Sequence, residues 1–105
     1  MPVAKPGEIW IVDLGMVAKV RPCLILTPQR RGDDLEVFTV LAHTTACRGN
    51  RWEVLIPKPF LDPDGAFDMQ RIATVASVKL ERKLGELTRV EMDTILDRLA
   101  ERLGL

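Results

Sequence analysis

The C-terminal stretch carries the sequence's one sustained helical period, and it restricts the fold more than any other feature. Thr88-Arg89-Val90-Glu91 has the form of a capping box, in which the threonine hydroxyl caps the helix and the glutamate reaches back to the cap's backbone N–H. Met92, Ile95, Leu96, Leu99 and Leu103 then recur on one stripe. Arg98 and Arg102 sit where the helix dipole favours cations, and Gly104 is a natural stop. The spacing predicts a helix over 88–103. A helix with a single apolar face must bury it against another layer, and the rest of the chain supplies only short strand-like runs.

Those runs are separated by turn residues. Glu8 to Leu14 follows Pro6-Gly7 and is rich in β-formers. Gly15 to Val20 reads as a short loop. Arg21 to Thr27 is a compact apolar run, with Pro22 suited to opening a strand rather than standing in its hydrogen-bonded middle. Gln29 to Asp34 is charged and reads as a turn or mobile loop. Leu35 to Thr44 is a third strand, with Phe38, Val40, Ala42 and Thr44 on one face and Val37, Thr39, Leu41 and His43 on the other. After the Arg48-Gly49-Asn50 turn, Arg51 to Ile56 forms a fourth strand, stopped by Pro57 and Pro59. Phe67 to Val75 is a fifth. Ser77 to Lys83 is either a short helical turn or an extended connection. The expected fold is mainly β with a C-terminal helix, packed on a mostly antiparallel sheet or barrel.

With 105 residues, the chain has room for one domain, residues 1–105, and one modest core. No apolar run is long enough to cross a bilayer, and Met1-Pro2-Val3-Ala4-Lys5-Pro6 lacks the apolar core of a signal peptide. The expected location is therefore the cytoplasm. Cys23 and Cys47 belong to no zinc-like spacing and are expected to be small buried free thiols. The formal net charge of zero says nothing about a nucleic-acid partner, which needs a local basic patch and not a basic total.

The sequence lacks a phosphate-binding glycine loop, a dinucleotide fingerprint, an HExxH helix and a serine-hydrolase elbow. One histidine excludes a two-histidine ribonuclease mechanism, and no DxD pair suggests a magnesium site. Neither a metal nor any other cofactor is expected. What remains is arginine, threonine, glutamine, one histidine and backbone donors. These suit RNA cleavage, because RNA carries its own nucleophile in the 2′-OH. The protein must then hold the phosphate for in-line attack and stabilise its growing charge. An arginine fork matches phosphate oxygens two at a time. Arg21 begins the second strand and Thr44 ends the third, so the two meet at a rim if those strands are neighbours. Lys19, Arg48 and Arg51, with Trp52 as an aromatic, could track a single strand.

In their order along the chain, these segments resemble the MazF/PemK toxins of bacterial toxin–antitoxin systems. The carriers are Pro6-Gly7-Glu8-Ile9-Trp10-Ile11-Val12-Asp13-Leu14, then Arg21-Pro22-Cys23-Leu24-Ile25-Leu26, then Val40-Leu41-Ala42-His43-Thr44-Thr45. Leu84-Gly85-Glu86-Leu87, the capped helix and Leu103-Gly104-Leu105 complete the set. The resemblance implies a small SH3-like barrel of antiparallel strands, of the CcdB–PemK type, acting as a homodimer. It implies a sequence-specific endoribonuclease that cuts single-stranded mRNA without a metal and leaves a 2′,3′-cyclic phosphate and a 5′-OH. It also implies a cognate antitoxin whose disordered tail occupies the RNA groove.

By position, Arg21 matches the arginine of the family's Arg-Pro motif and Thr44 its strand-end threonine; these two are the expected catalytic pair. Many relatives carry Gln-x-Arg-Thr late in the chain. Here the stretch is Gln70-Arg71-Ile72-Ala73-Thr74-Val75, which puts Ala73 where the arginine is expected and Arg71 two positions earlier, on the same strand face. Proton transfer is left open between His43, the one side chain with an unperturbed pKa near neutrality, Arg71, and neither of them. Lys19, Thr45, Arg48, Arg51 and Gln70 are candidates for RNA contact. Two other readings stand beside the enzyme: a non-catalytic module that binds RNA, gyrase or antitoxin, kept open by the altered Gln70–Val75 stretch, and a structural barrel with no nucleic-acid role.

Overall fold

The computed structural model describes residues 4–15, 19–28 and 31–105. Parts of the expected loops at 15–20 and 29–34, and of the N-terminal segment, lie outside these residues. Strands β1 (Glu8–Asp13), β2 (Val20–Ile25), β3 (Val37–Thr44), β4 (Glu53–Val54) and β5 (Ala66–Ala76) follow in chain order. A single 3₁₀ turn, Ser77–Lys79, leads into β6 (Leu80–Glu86), and helix α1 (Arg89–Leu103) ends the chain. All pairings are antiparallel, in the spatial order β4-β5-β3-β2-β1-β6.

An antiparallel sheet carrying one C-terminal helix is what the sequence predicts. Of the expected sheet or barrel, the structure forms a barrel-like sheet that does not close: among the described residues β4 pairs with β5 and β6 with β1, and the two edge strands are not paired with each other. Both edge strands suit that position. β4 is only two residues long, because Asn50 turns the chain with its side chain on the Trp52 N–H (3.0 Å) just before the strand begins. The expected helical turn or extended connection over Ser77 to Lys83 divides into a turn at Ser77–Lys79 and the start of β6, whose Leu-Glu-Arg-Lys-Leu-Gly-Glu is poor in β-branched residues and gives no strand signal. Its charges instead protect an exposed edge against pairing with another chain. β2 begins one residue before the expected Arg21, at Val20, which leaves Pro22 third in the strand rather than opening it. The β2–β3 ladder starts only at Cys23, so no β3 partner is lost at the proline.

The sheet buries residues on both faces. Ile9, Leu24, Leu41, Phe67 and Met69 pack under Met92, Ile95 and Leu99 of α1. Each such fully buried side chain contributes about 1.5–3 kcal/mol of hydrophobic stabilisation. Thr88 and Glu91 form the predicted capping box, with Oγ1 accepting from the Glu91 N–H (3.2 Å) and Oε1 from the Thr88 N–H (2.8 Å). Gly104 adopts the left-handed conformation at the other end (φ 74°), which glycine reaches without steric cost. The stripe is narrower than predicted: Leu96 and Leu103 are exposed, because residues 92, 95 and 99 alone point at the sheet. On the opposite face, Val12, Cys23, Ile25, Phe38, Val40 and Ala42 form a second cluster with Ala4 and Leu80. No part of α1 belongs to this second cluster.

Candidate functional site

Arg21 and Thr44 meet because of strand register. The ladder pairs Cys23 with Ala42; continued for two residues, it sets Arg21 opposite Thr44 on the same face as the second cluster. The side chains touch where the backbone ladder has already ended, with Arg21 Nη1 3.4 Å from Thr44 Oγ1. That oxygen also accepts the Ala46 N–H at 3.0 Å. With two donors on its oxygen, the Thr44 hydroxyl has its own proton left to donate. Thr44 is 1% exposed and so lies behind the half-buried Arg21. Neighbouring Cys23 is buried, which pushes its thiol up to about 12 against the pull of the Arg21 charge. It is a protonated packing residue at neutral pH, not a nucleophile.

The third component comes from an irregularity in β5. Between Leu41↔Ile72 and His43↔Phe67, a two-residue step on β3 is matched by a five-residue step on β5. The extra residues run through Asp68, Met69, Gln70 and Arg71, a bulge of the kind that re-aims a side chain. Asp68 is only 6% exposed. Its Oδ1 accepts the Gln70 N–H at 2.9 Å, and its Oδ2 accepts Arg71 Nε at 3.2 Å. Arg71 then lines, with Arg21, Leu14, Ala42, Ile72 and Ala73, a cavity of about 200 Å³. That is below the range of pockets that enclose whole small molecules and suits a charged group such as a phosphodiester. Two guanidinium groups at one small cavity, with no carboxylate among its lining residues, favour an anion.

The other predicted residues are distributed as follows. His43 lies on the helix-covered face, 4% exposed, with its ring edge-to-face against Phe67 at 5.0 Å. It packs so closely on Gly65 that a Cβ there would come within 2.3 Å of the imidazole. Burial lowers its pKa from the ordinary 6.5, and the charge of Asp62 partly opposes this. His43 is therefore separated by the sheet from the Arg21–Thr44 pair. Thr45 is exposed directly after Thr44. Lys19 is exposed just before β2, in a left-handed conformation (φ 61°). Gln70 is exposed and accepts from Asn50 Nδ2 at 3.2 Å, which ties the Arg48–Asn50 turn to the bulge.

The backbone N–H groups of Arg48 and Gly49 both donate to Glu53 at 2.7 Å, and Arg48's, first, helps hold that carboxyl below its ordinary range. Arg51 lies elsewhere. Its guanidinium stacks on Trp52 at 4.3 Å and approaches Glu101 at 3.7 Å, while Arg98 donates to its carbonyl. Arg102 is also over the Trp52 ring, at 5.2 Å. Arg51 is thus joined to the C-terminal half of α1 and does not line the Arg21 cavity. Cys47, expected to be buried, is exposed.

The sequence reading missed Asp68. The available signal was an acid inside the apolar run Ala66-Phe67-Asp68-Met69, where a strand would ordinarily place no charge. A second cavity, of about 400 Å³, is formed by the 55–63 loop. Its lining is mostly apolar, and its one cation, Lys58, is held by Glu91 at 2.6 Å. Among the described residues, no group of three or more His, Cys, Asp or Glu side chains could hold a metal ion, and no helix is long and apolar enough to cross a membrane.

Residues 5–103 match the family described as PemK-like, MazF-like toxins of type II toxin–antitoxin systems. No curated protein matches the sequence. Among solved structures, an endoribonuclease from a mycobacterial species, in complex with its cognate antitoxin, is 26% identical; the match covers 100% of this chain and 97% of that one, with a TM-score of 0.79. The toxin MazF-mt6 of Mycobacterium tuberculosis is also 26% identical, over 93% of this chain and 97% of that one, with a TM-score of 0.79. A MazE–MazF complex from Deinococcus radiodurans shares the fold at 17% identity, over 100% of this chain and 99% of that one, with a TM-score of 0.80.

Proposed function

The chain belongs to the PemK-like, MazF-like toxins of type II toxin–antitoxin systems, and we propose that it is an endoribonuclease cutting single-stranded mRNA at Arg21, Thr44 and Arg71. One observation carries this reading: two guanidinium groups line a single cavity of phosphodiester size, with a threonine hydroxyl behind one of them. The mycobacterial endoribonucleases that match nearly the whole chain support it.

The reaction follows from the substrate. The 2′-OH attacks the adjacent phosphorus and gives its proton to solvent water, the P–O5′ bond breaks in line as the leaving 5′-oxygen takes a proton from water, and the products are a 2′,3′-cyclic phosphate and a 5′-OH. Charge builds on the non-bridging oxygens as the fifth bond forms. Arg21 and Arg71 meet that charge with donors already in place, and the Thr44 hydroxyl donates a hydrogen bond to the phosphate as Arg21 engages it. Both guanidinium groups act through charge and geometry. No metal takes part. Arg71 supplies the second guanidinium from two positions before Ala73, and the strand's two-residue period keeps it on the site face. His43, on the other face, does not touch the phosphate. Lys19, Thr45, Arg48 and Gln70 border the approach and contact the RNA on either side, while Arg51 contributes from the Trp52 side.

The toxin acts in the cytoplasm as one domain and as a homodimer. The half-buried Trp10, Leu14 and Val75 on the face away from α1 support a second copy there. A cognate antitoxin neutralises it, as the relative solved with its own antitoxin supports. The test is cleavage of a long in vitro transcribed messenger in EDTA. The parent cuts it, while Arg21→Ala and Arg71→Ala each cut about a hundredfold to a thousandfold more slowly with the fold intact. RNA that is bound but never shortened by the parent would overturn the proposal in favour of a binding module.

A further inference from the structure

Asp68 is an expensive residue for its location. A buried carboxylate is costly to desolvate unless it is paired and hydrogen-bonded. Asp68 also stands directly across the β4–β5 ladder from another acid, Glu53, a pairing that is unfavourable by itself. The two acids do not share donors: Glu53 takes the Arg48 and Gly49 N–H groups, and Asp68 takes the Gln70 N–H and Arg71 Nε. An uncharged residue would avoid both costs, so the carboxylate needs a use beyond packing.

Resting on the cleavage site proposed above, we infer that Asp68 is a positioning residue: its buried carboxylate fixes the Arg71 guanidinium at the cavity shared with Arg21. The two oxygens divide the work. Oδ1 holds the bulge through the Gln70 N–H, and this sets where the Arg71 backbone emerges. Oδ2 holds the side chain itself through Nε. Because the contact uses Nε, the terminal Nη1 and Nη2 fork is left to meet a phosphate. Without the carboxylate, a long side chain at the rim samples several rotamers, and a misplaced guanidinium stabilises a transition state poorly.

The test uses the full chain and the same transcribed messenger, with folding followed by circular dichroism. Asp68→Asn lowers kcat about tenfold to a hundredfold, with a smaller change in KM. In an Arg71→Ala background the same change has no further effect, since there is then no guanidinium to position. Arg71→Lys leaves Asp68 and the bulge untouched. A lysine has one cationic nitrogen, which can meet Asp68 or the phosphate but not both, so this variant is as slow as Arg71→Ala. Asp68→Asn cutting at the parental rate overturns the inference. So does an equal loss with and without Arg71, which marks a merely structural role, and so does an Arg71→Lys protein that cuts like the parent. If Asp68→Asn does not fold, the Arg71→Lys comparison decides alone. An Arg71→Ala protein as fast as the parent removes the cleavage site itself and the inference with it; a slow Arg71→Ala beside an unaffected Asp68→Asn overturns only the inference.

Discussion

Thr44 separates stability from function in a way that two substitutions can read. The residue is 1% exposed, and its Oγ1 accepts from Arg21 Nη1 at 3.4 Å and from the Ala46 N–H at 3.0 Å. Thr44→Val keeps the shape and removes the acceptor. The Ala46 bond contributes about 0.5–1.5 kcal/mol, and the long Arg21 contact adds at most a similar amount. The expected loss is about 1–3 kcal/mol, short of the whole stability of an ordinary domain. Thr44→Ser keeps both bonds and removes one buried methyl group, costing about 1 kcal/mol. At roughly 4–8 °C per kcal/mol for a domain of this size, both variants melt lower and both stay folded at room temperature. Their activities diverge. Thr44→Ser cleaves within a few-fold of the parent, whereas Thr44→Val, with no hydroxyl to donate and no anchor for Arg21, falls about a hundredfold. Thermal melts followed by circular dichroism and initial cleavage rates on one RNA supply both readings. A Thr44→Val protein that cuts like the parent, or a Thr44→Ser protein that is folded but inactive, refutes the argument from the hydroxyl.

Three further outcomes follow from other parts of the structure. His43→Gln retains cleavage within a few-fold, because the imidazole lies across the sheet from Arg21; a hundredfold loss in initial rate would contradict that placement. Burial lowers the His43 pKa below its ordinary 6.5, so the unfolded chain takes up the proton first as pH falls. Its contribution to stability is present above 6.5 and lost as pH falls towards the folded-state value, and urea titrations across that window show a slope that His43→Gln removes. Thr88→Ala removes half of the capping box and costs about 1 kcal/mol, visible as a lower melting temperature with cleavage unchanged.

How much of this was legible in the sequence depended on distance along the chain. The helix and its cap rest on contacts within a single turn, so the pattern at Thr88, Glu91, Met92, Ile95 and Leu99 stated them directly. Leu96 and Leu103 looked equivalent, and only the position of the sheet separates them. The Arg21–Thr44 contact was legible as a rim between two strands, but it depends on the Cys23↔Ala42 register, which hydrophobic alternation limits to a face and not to a residue. The β5 bulge was not legible at all. It depends on Asp68 finding Arg71 and the Gln70 N–H while the Trp52 carbonyl, in the turn just before β4, accepts the Met69 N–H at 2.9 Å. β6 was hidden for a different reason: an exposed edge strand is selected for charge, and charge is the opposite of the usual strand signal.

In the proposed reaction the RNA's own 2′-oxygen is the nucleophile and the protein supplies charge and position. The most direct measurement maps one cut by sequencing the 5′ ends of the fragments, then repeats the digestion in EDTA on an oligonucleotide carrying 2′-deoxyribose at that nucleotide alone. The all-RNA strand is expected to give downstream fragments with a 5′-hydroxyl and upstream fragments ending in a 2′,3′-cyclic phosphate, with no cut at the deoxy position although that strand still binds. Cleavage persisting at the deoxy nucleotide, or 5′-phosphate ends, would contradict it.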